Sequence, residues 1–230
     1  MMHYRTIATD YDGTLASDGL VDDATWAAIA AFQQRGGKVL LVTGREFQDL
    51  RQVCPQLGRF DAVIAENGGV AYWPTTDTIV SQGHPPSGEF IERLRRAGVD
   101  TIHQGRVIVA TWQPHGDLVK NLITEMQLDY QVILNKRAVM VLPKGVDKAS
   151  TLKYVLSELQ IAPHQTIGIG DAENDLALLQ CSGLGVAVAN ALSALKDAAD
   201  YVTKGDRGRG VQEVIQKLLD NECVFLELVD

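Results

Sequence analysis

The sequence predicts an α/β fold, a doubly wound (Rossmann-like) parallel sheet carrying a smaller inserted α+β cap. Three observations predict it. Strand-like and helix-like segments alternate over the first third of the chain, the same rhythm returns over the last third, and the stretch between them reads differently.

TIATD, near the N-terminus, is the first strand. In DDATWAAIAAFQQRGG, Trp26, Ile29 and Phe32 share one helix face; Asp22 or Asp23 is placed to cap its start, and Gly36 or Gly37 to end it. Val39 to Val42 follow as an apolar run without alternation, the pattern of a strand buried on both faces. EFQDLRQVCPQLG reads as helix and DAVIAENGG as strand. The core's first part thus covers residues 1–73. The turn-rich WPTTDTIVSQGHPPSGE then opens a cap over 74–142, with helix FIERLRRAG, strand RVIVATW, helix HGDLVKNLITEMQ, and strands QVILN and AVMVLP. Only Lys136 and Arg137 divide the last two, which predicts an antiparallel hairpin. The core resumes over 143–230 with PKGVDKASTL, QTIGIGD, ENDLALLQCSG, LGVAVAN, ALSALKDAA, DYVT and GRGVQEVIQKLLDN. CVFLELVD at the end fits an edge strand or a chain running on into another domain.

The 230 residues are 46% hydrophobic and 22% charged, ordinary globular composition. No apolar run approaches the roughly 20 residues that span a bilayer, and MMHYRT lacks a signal peptide's apolar core, so a cytoplasmic protein with no membrane partner is expected. The net charge of −8, with no block of lysine and arginine, argues against nucleic acid as a partner. Cys54, Cys181 and Cys223 are odd in number and widely spaced, which points to buried thiols rather than disulfides or a zinc site. The five histidines are scattered without metal-ligand spacing, and none is assigned a catalytic role.

Ligands of an open parallel sheet sit at the carboxyl ends of its strands. The first strand delivers Asp10 and Asp12 there, the second Thr43, Gly44 and Arg45, and TIGIG delivers Asp171 with Asn174 and Asp175 behind it. Lys148 opens the helix that returns from the cap, where a cation opposes the helix dipole unless an anion offsets it. Taken singly, each residue has a plain structural reading: a strand-end aspartate is commonly a turn or helix cap, and GDAEND can simply open a helix. Together they form a carboxylate pair, a hydroxyl, an ammonium and a second acidic cluster at one sheet edge. That set suits phosphoryl transfer through an aspartyl phosphate, which needs an in-line nucleophile and neutralised equatorial oxygens. A carboxylate attacking a phosphate needs a bridging divalent cation, and all-oxygen ligands suit Mg²⁺. In this reading Asp10 attacks, Asp12 carries the proton, and Gly13 turns the chain away from the site.

DYDGTL at 10–15, VTGR at 42–45, Lys148 and GDAENDLALL at 170–179 resemble, in order and spacing, the four motifs of the haloacid dehalogenase superfamily of phosphatases. The resemblance is to its Cof-type branch, with the cap between the second and third motifs, and it extends to ENGG at 66–69 and GVAVANA at 185–191. It implies Asp10 as nucleophile and Asp12 as general acid and base. Thr43, Gly44, Arg45, Lys148 and Asn174 would hold the phosphoryl oxygens. Mg²⁺ would lie on Asp10, the carbonyl of Asp12, Asp171 and Asp175. Tyr11 departs from the usual aliphatic or phenylalanine, and the short cap is nearest to those of phosphoglycolate and sugar-phosphate phosphatases. A small phosphorylated metabolite is the expected partner, and a monomer or homodimer the expected state. A phosphotransferase or mutase using the same intermediate, and a non-catalytic phosphate-binding module, remain as alternatives. A receiver domain would be about half as long, and neither G-x-G-x-x-G nor G-x-x-x-x-G-K is present to support a nucleotide-binding reading.

Overall fold

A computed structural model describes residues 4–220. In chain order its elements are β1 (Thr6–Thr9), α1 (Asp23–Gln34), β2 (Lys38–Val42), α2 (Phe47–Val53), β3 (Ala62–Ala65), β4 (Val70–Trp73) and β5 (Thr78–Ser81), then α3 (Gly88–Arg96), β6 (His103–Gln104), β7 (Val109–Trp112), α4 (Gly116–Glu125), β8 (Tyr130–Asn135) and β9 (Ala138–Pro143). The described elements end with α5 (Lys148–Glu158), β10 (Thr166–Gly170), α6 (Leu176–Cys181), β11 (Leu184–Ala187), α7 (Ser193–Asp197), β12 (Tyr201–Val202) and α8 (Arg207–Leu219). Eight strands form one sheet in the order β12-β11-β10-β1-β2-β3-β4-β5, and four form a second in the order β6-β7-β9-β8.

Burial on both faces organises the large sheet, as the unbroken apolar run of β2 predicts. Val39 and Leu41 pack into a core with Trp26, Ile29 and Phe32 of α1 and with Val211 and Val214 of α8, whereas Leu40 and Val42 pack against Leu152 and Val155 of α5. Each such side chain contributes on the order of 2 kcal/mol by leaving water. The α1 start is fixed by Asp22, whose side chain accepts the Thr25 N–H at 2.6 Å.

The strands from β12 across to β3 run parallel, while β4 and β5 return as an antiparallel hairpin at the edge. This corrects one expectation: Thr78–Ser81 pairs with β4 in the large sheet, so the chain leaves the core after Ser81 rather than after Trp73. The strand is half exposed and short, so its apolar signal is weak within a turn-rich segment.

The second sheet and its two helices occupy residues 88–143. One face packs Val109, Val139 and Val141 against Phe90 and Leu94 of α3 and Val119 and Ile123 of α4. Its β8–β9 hairpin turns through Lys136 and Arg137, with Asn135 opposite Ala138, as expected from sequence. CVFLELVD and Cys223 lie outside the described residues. Of the other cysteines, Cys54 is buried and Cys181 half-buried, both as free thiols. No described helix is long and apolar enough to cross a membrane.

Candidate active site

The strand ends of the large sheet bring Asp10, Thr43 and Asp171 to one edge, and the start of α5 brings Lys148 to meet them. A capping box fixes that start: Asp147 accepts the Ser150 N–H at 2.7 Å and donates its own N–H to Ser150 Oγ at 2.9 Å. Lys148, fully buried, then donates to Asp10 Oδ1 and to Asp175 Oδ1, each at 2.6 Å. These two carboxylates are the anions that a lysine at a helix N-terminus requires. Burial works against the Lys148 charge, but Asp10 and Asp175 more than offset it and hold the ammonium above the ordinary lysine range.

Asp10, Asp171 and Asp175 form a buried triad whose ligand oxygens lie within 4.8 Å of one another. Burial raises the Asp10 carboxyl far above the usual carboxylate range, and repulsion from Asp175 adds to this against the pull of Lys148. Asp171 is raised as well, by burial, with Lys136 opposing. Asp175 spends its second oxygen on the Asp171 and Ala172 N–H groups at 3.0 Å each, which shapes the loop after β10. When all three carboxyls are ionised they outnumber the two ammoniums, Lys148 and Lys136, and leave an excess of negative charge. An all-oxygen cluster with that excess fits a divalent cation such as Mg²⁺. Gly13, with φ +89°, is needed here for two reasons: its backbone is left-handed, and a Cβ would fall 2.6 Å from Asp171 Oδ2.

Asp12 lies outside the triad. Arg45 grips it with Nε at 2.6 Å and Nη2 at 2.8 Å, and reaches Asp49 with Nη1 at 2.6 Å. Arg45, expected on the phosphoryl oxygens, is therefore paired with carboxylates in this state. Thr43 is buried and accepts the Arg45 N–H at 3.2 Å. Asn174 donates to Asn67 Oδ1 at 2.9 Å, close beside Gly44, and each amide keeps one buried atom without a partner among the described residues, Asn174 Oδ1 and Asn67 Nδ2. Unpaired buried amide atoms beside a backbone turn suit a polar ligand.

A cavity of about 410 Å³ opens on Asp10, Asp12, Thr43 and Gly44, and its other wall is the insert, through Ile108 just before β7 and Ala110, Trp112, Ala138 and Met140 of its sheet. Glu46 and His103 face each other across it at 3.6 Å.

A family model described as haloacid dehalogenase-like hydrolase matches residues 7–97 and 108–215. The chain belongs to the haloacid dehalogenase-like hydrolases. Over 227 residues it is 34% identical to a phosphoglycolate phosphatase of Natronomonas pharaonis, covering 94% of this chain and 98% of that one. It is 30% identical over 224 residues to phosphoglycolate phosphatase 2 of Saccharolobus solfataricus, covering 93% and 91%. In fold it is similar to a HAD/COF-like hydrolase from Plasmodium vivax, with a TM-score of 0.82 at 19% identity over 96% of this chain and 97% of that one. A haloacid dehalogenase-like hydrolase from Bacteroides thetaiotaomicron gives a TM-score of 0.79 at 20% identity over 94% and 99%.

Sequence reading of this hydrolase missed one polar residue of the region. Glu66, at the end of β3, is buried and accepts the N–H groups of Arg106 at 2.9 Å, Val107 at 2.8 Å and Ile108 at 3.1 Å, with Phe47 at 3.4 Å. It ties the core to the strand that lines the cavity. The ENGG segment was visible, but the positive φ of Glu66 and Asn67 and partners some forty residues away were not.

Proposed function

We propose that this hydrolase cleaves small phosphate monoesters, of the sugar-phosphate or phosphoglycolate class, through a phosphoryl group carried on Asp10. The observation that carries the reading is Asp10 itself. It is a buried carboxylate at a strand end, held by an ammonium, grouped with two further carboxylates, and facing a cavity closed by the insert. The names of the relatives support the ester class.

Asp10, Asp171 and Asp175 would hold Mg²⁺, with the Asp12 carbonyl. When bound, the ion supplies positive charge that lets an anionic phosphate approach an anionic nucleophile. Lys148 fixes the orientation of Asp10 and, with Thr43, the Gly44 N–H and Asn174, takes the phosphoryl oxygens. An Asp10 oxygen bonds to phosphorus as the ester P–O bond breaks, and Asp12 gives its proton to the departing oxygen. In the second half water attacks phosphorus, Asp12 takes the water's proton, and Asp10 leaves as carboxylate. The sum is ester plus water to alcohol plus phosphate. Asp12 serves both halves once Arg45 gives up part of its grip, and the guanidinium then becomes available to the phosphoryl group. The insert wall keeps bulk water from the phosphoryl group.

The test is phosphate release from a panel of sugar phosphates, phosphoglycolate, nucleotides and an aryl phosphate, with Mg²⁺ and with chelator. Turnover that requires the metal is expected. Metal-independent turnover, or none on any ester, would contradict the reading.

A further inference from the structure

The β8–β9 hairpin carries the one insert side chain bonded to the acidic triad among the described residues. Lys136 stands at its tip with φ +53°, a conformation that turns the chain back toward the core loop. Its backbone N–H donates to Glu173 Oε2 at 3.1 Å, and its Nζ donates to Asp171 Oδ2 at 2.9 Å. Asp10 and Asp175 also act on this ammonium. The insert therefore reaches into the reaction site with a cation, and that cation sits on a carboxylate that belongs to the metal-binding set.

An ammonium and a divalent cation repel each other, and a cation on the triad would compete with Lys136 for the Asp171 carboxylate. Metal held by the triad would release the Lys136 side chain from Asp171. The Glu173 contact and the hairpin register keep the backbone where it is, so the freed ammonium stays within side-chain reach of Asp10 and of the cavity beside it. None of the insert residues lining that cavity is a lysine or arginine. Asn135, the preceding residue, lines it with a buried Oδ1 that has no partner among the described residues, so the wall beside Lys136 can take a polar group. Of the acids on the core wall, Asp49 is paired with Arg45 and Glu46 faces His103.

We propose that Lys136 is the leaving-group-binding residue of this enzyme, exchanged from Asp171 to the substrate when the metal binds, and that it selects monoesters whose leaving group carries a carboxylate. The proposal rests on the phosphatase reading and goes beyond it by assigning the residue that reads the ester.

The test uses Lys136→Met and Lys136→Arg, each checked for unchanged thermal unfolding, in two measurements. Calorimetric titration with Mg²⁺ in the absence of substrate is expected to show about tenfold tighter binding to Lys136→Met, because the internal competitor is gone. The ratio of kcat/KM for phosphoglycolate over p-nitrophenyl phosphate is expected to fall at least about tenfold in Lys136→Met, chiefly through KM, and to be largely kept by Lys136→Arg. Unchanged or weaker metal binding in Lys136→Met overturns the exchange, and an unchanged ratio overturns the selectivity. A wild type that turns over the aryl ester but not phosphoglycolate overturns the selectivity alone. A wild type that hydrolyses neither of these two esters overturns the selectivity, the phosphatase reading falls only when no ester of the wider panel is turned over, and the titration still decides the exchange at Asp171.

Discussion

Asp10 and Glu66 are both buried carboxylates at the carboxyl ends of neighbouring parts of one sheet, at 5% and 1% exposure, yet their oxygens are spent differently. Among the described residues no cation pairs with Glu66; backbone N–H groups from α2 and from the segment before β7 fill its lone pairs. Asp10 has one ammonium on one oxygen and two further carboxylates at its side. A saturated carboxylate holds structure together. An undersaturated one surrounded by like charge destabilises the resting protein and is available to bind a cation and to attack.

The sharpest way to break this comparison is to neutralise each carboxylate in turn. Asp10→Asn is expected to lower turnover of any accepted ester by about a thousandfold or more. In metal-free buffer its melting temperature should be equal to or above that of the wild type. The sign follows from the raised Asp10 pKa: a carboxyl harder to ionise in the fold than in the unfolded chain costs stability once ionised, and the amide removes that cost. Two carboxylates would then balance two ammoniums. A clear loss of stability in Asp10→Asn would place Asp10 in the same class as Glu66.

Glu66→Gln should do the reverse. An amide offers one acceptor oxygen to the several donors that Glu66 now satisfies, and about 2–4 kcal/mol of stability should go, read by denaturant unfolding. Turnover should fall less than in Asp10→Asn, through loosened seating of the cavity wall. Gly105→Ala attacks the same contact from the other side, because a Cβ there would lie 2.5 Å from Glu66 Cδ. A loss of about 1–3 kcal/mol is expected, and little further loss when it is combined with Glu66→Gln.

The smallest effect belongs to a third carboxylate of the Glu66 kind, placed where water reaches it. Glu213 accepts Tyr201 Oη at 2.5 Å and the N–H groups of Lys204 at 2.8 Å and Gly205 at 3.0 Å. Burial raises its pKa, but these bonds outweigh that and bring it below the ordinary 4.5. Its stabilisation is therefore complete above pH 4.5 and is lost as pH falls through the lowered value. Glu213→Gln should shift stability by under about 1 kcal/mol at neutral pH and flatten the loss below pH 4.5.

Much of this was legible in the chain itself. Asp10, Thr43, Asp171 and Lys148 each sit where an apolar run ends or a helix begins, and a parallel sheet sends all such positions to one edge. The β8–β9 turn was legible because only two residues separate its strands. The sequence pattern places Arg45 on phosphate, whereas its pairing with Asp12 depends on side-chain reach across two loops. Glu66 and the Lys136 contact with Asp171 were not legible, since each joins segments more than thirty residues apart without any local pattern. The strand β5 escaped because an edge strand needs only half the apolar residues of a central one.

The measurement that tests the central claim most directly is a rapid acid quench of the wild-type enzyme during turnover, followed by peptide mass analysis. A phosphoryl adduct on the peptide containing Asp10, formed only with Mg²⁺ present and absent from Asp10→Asn, is the predicted result. An adduct on another residue, or turnover by Asp10→Asn at a rate near that of the wild type, would contradict the account.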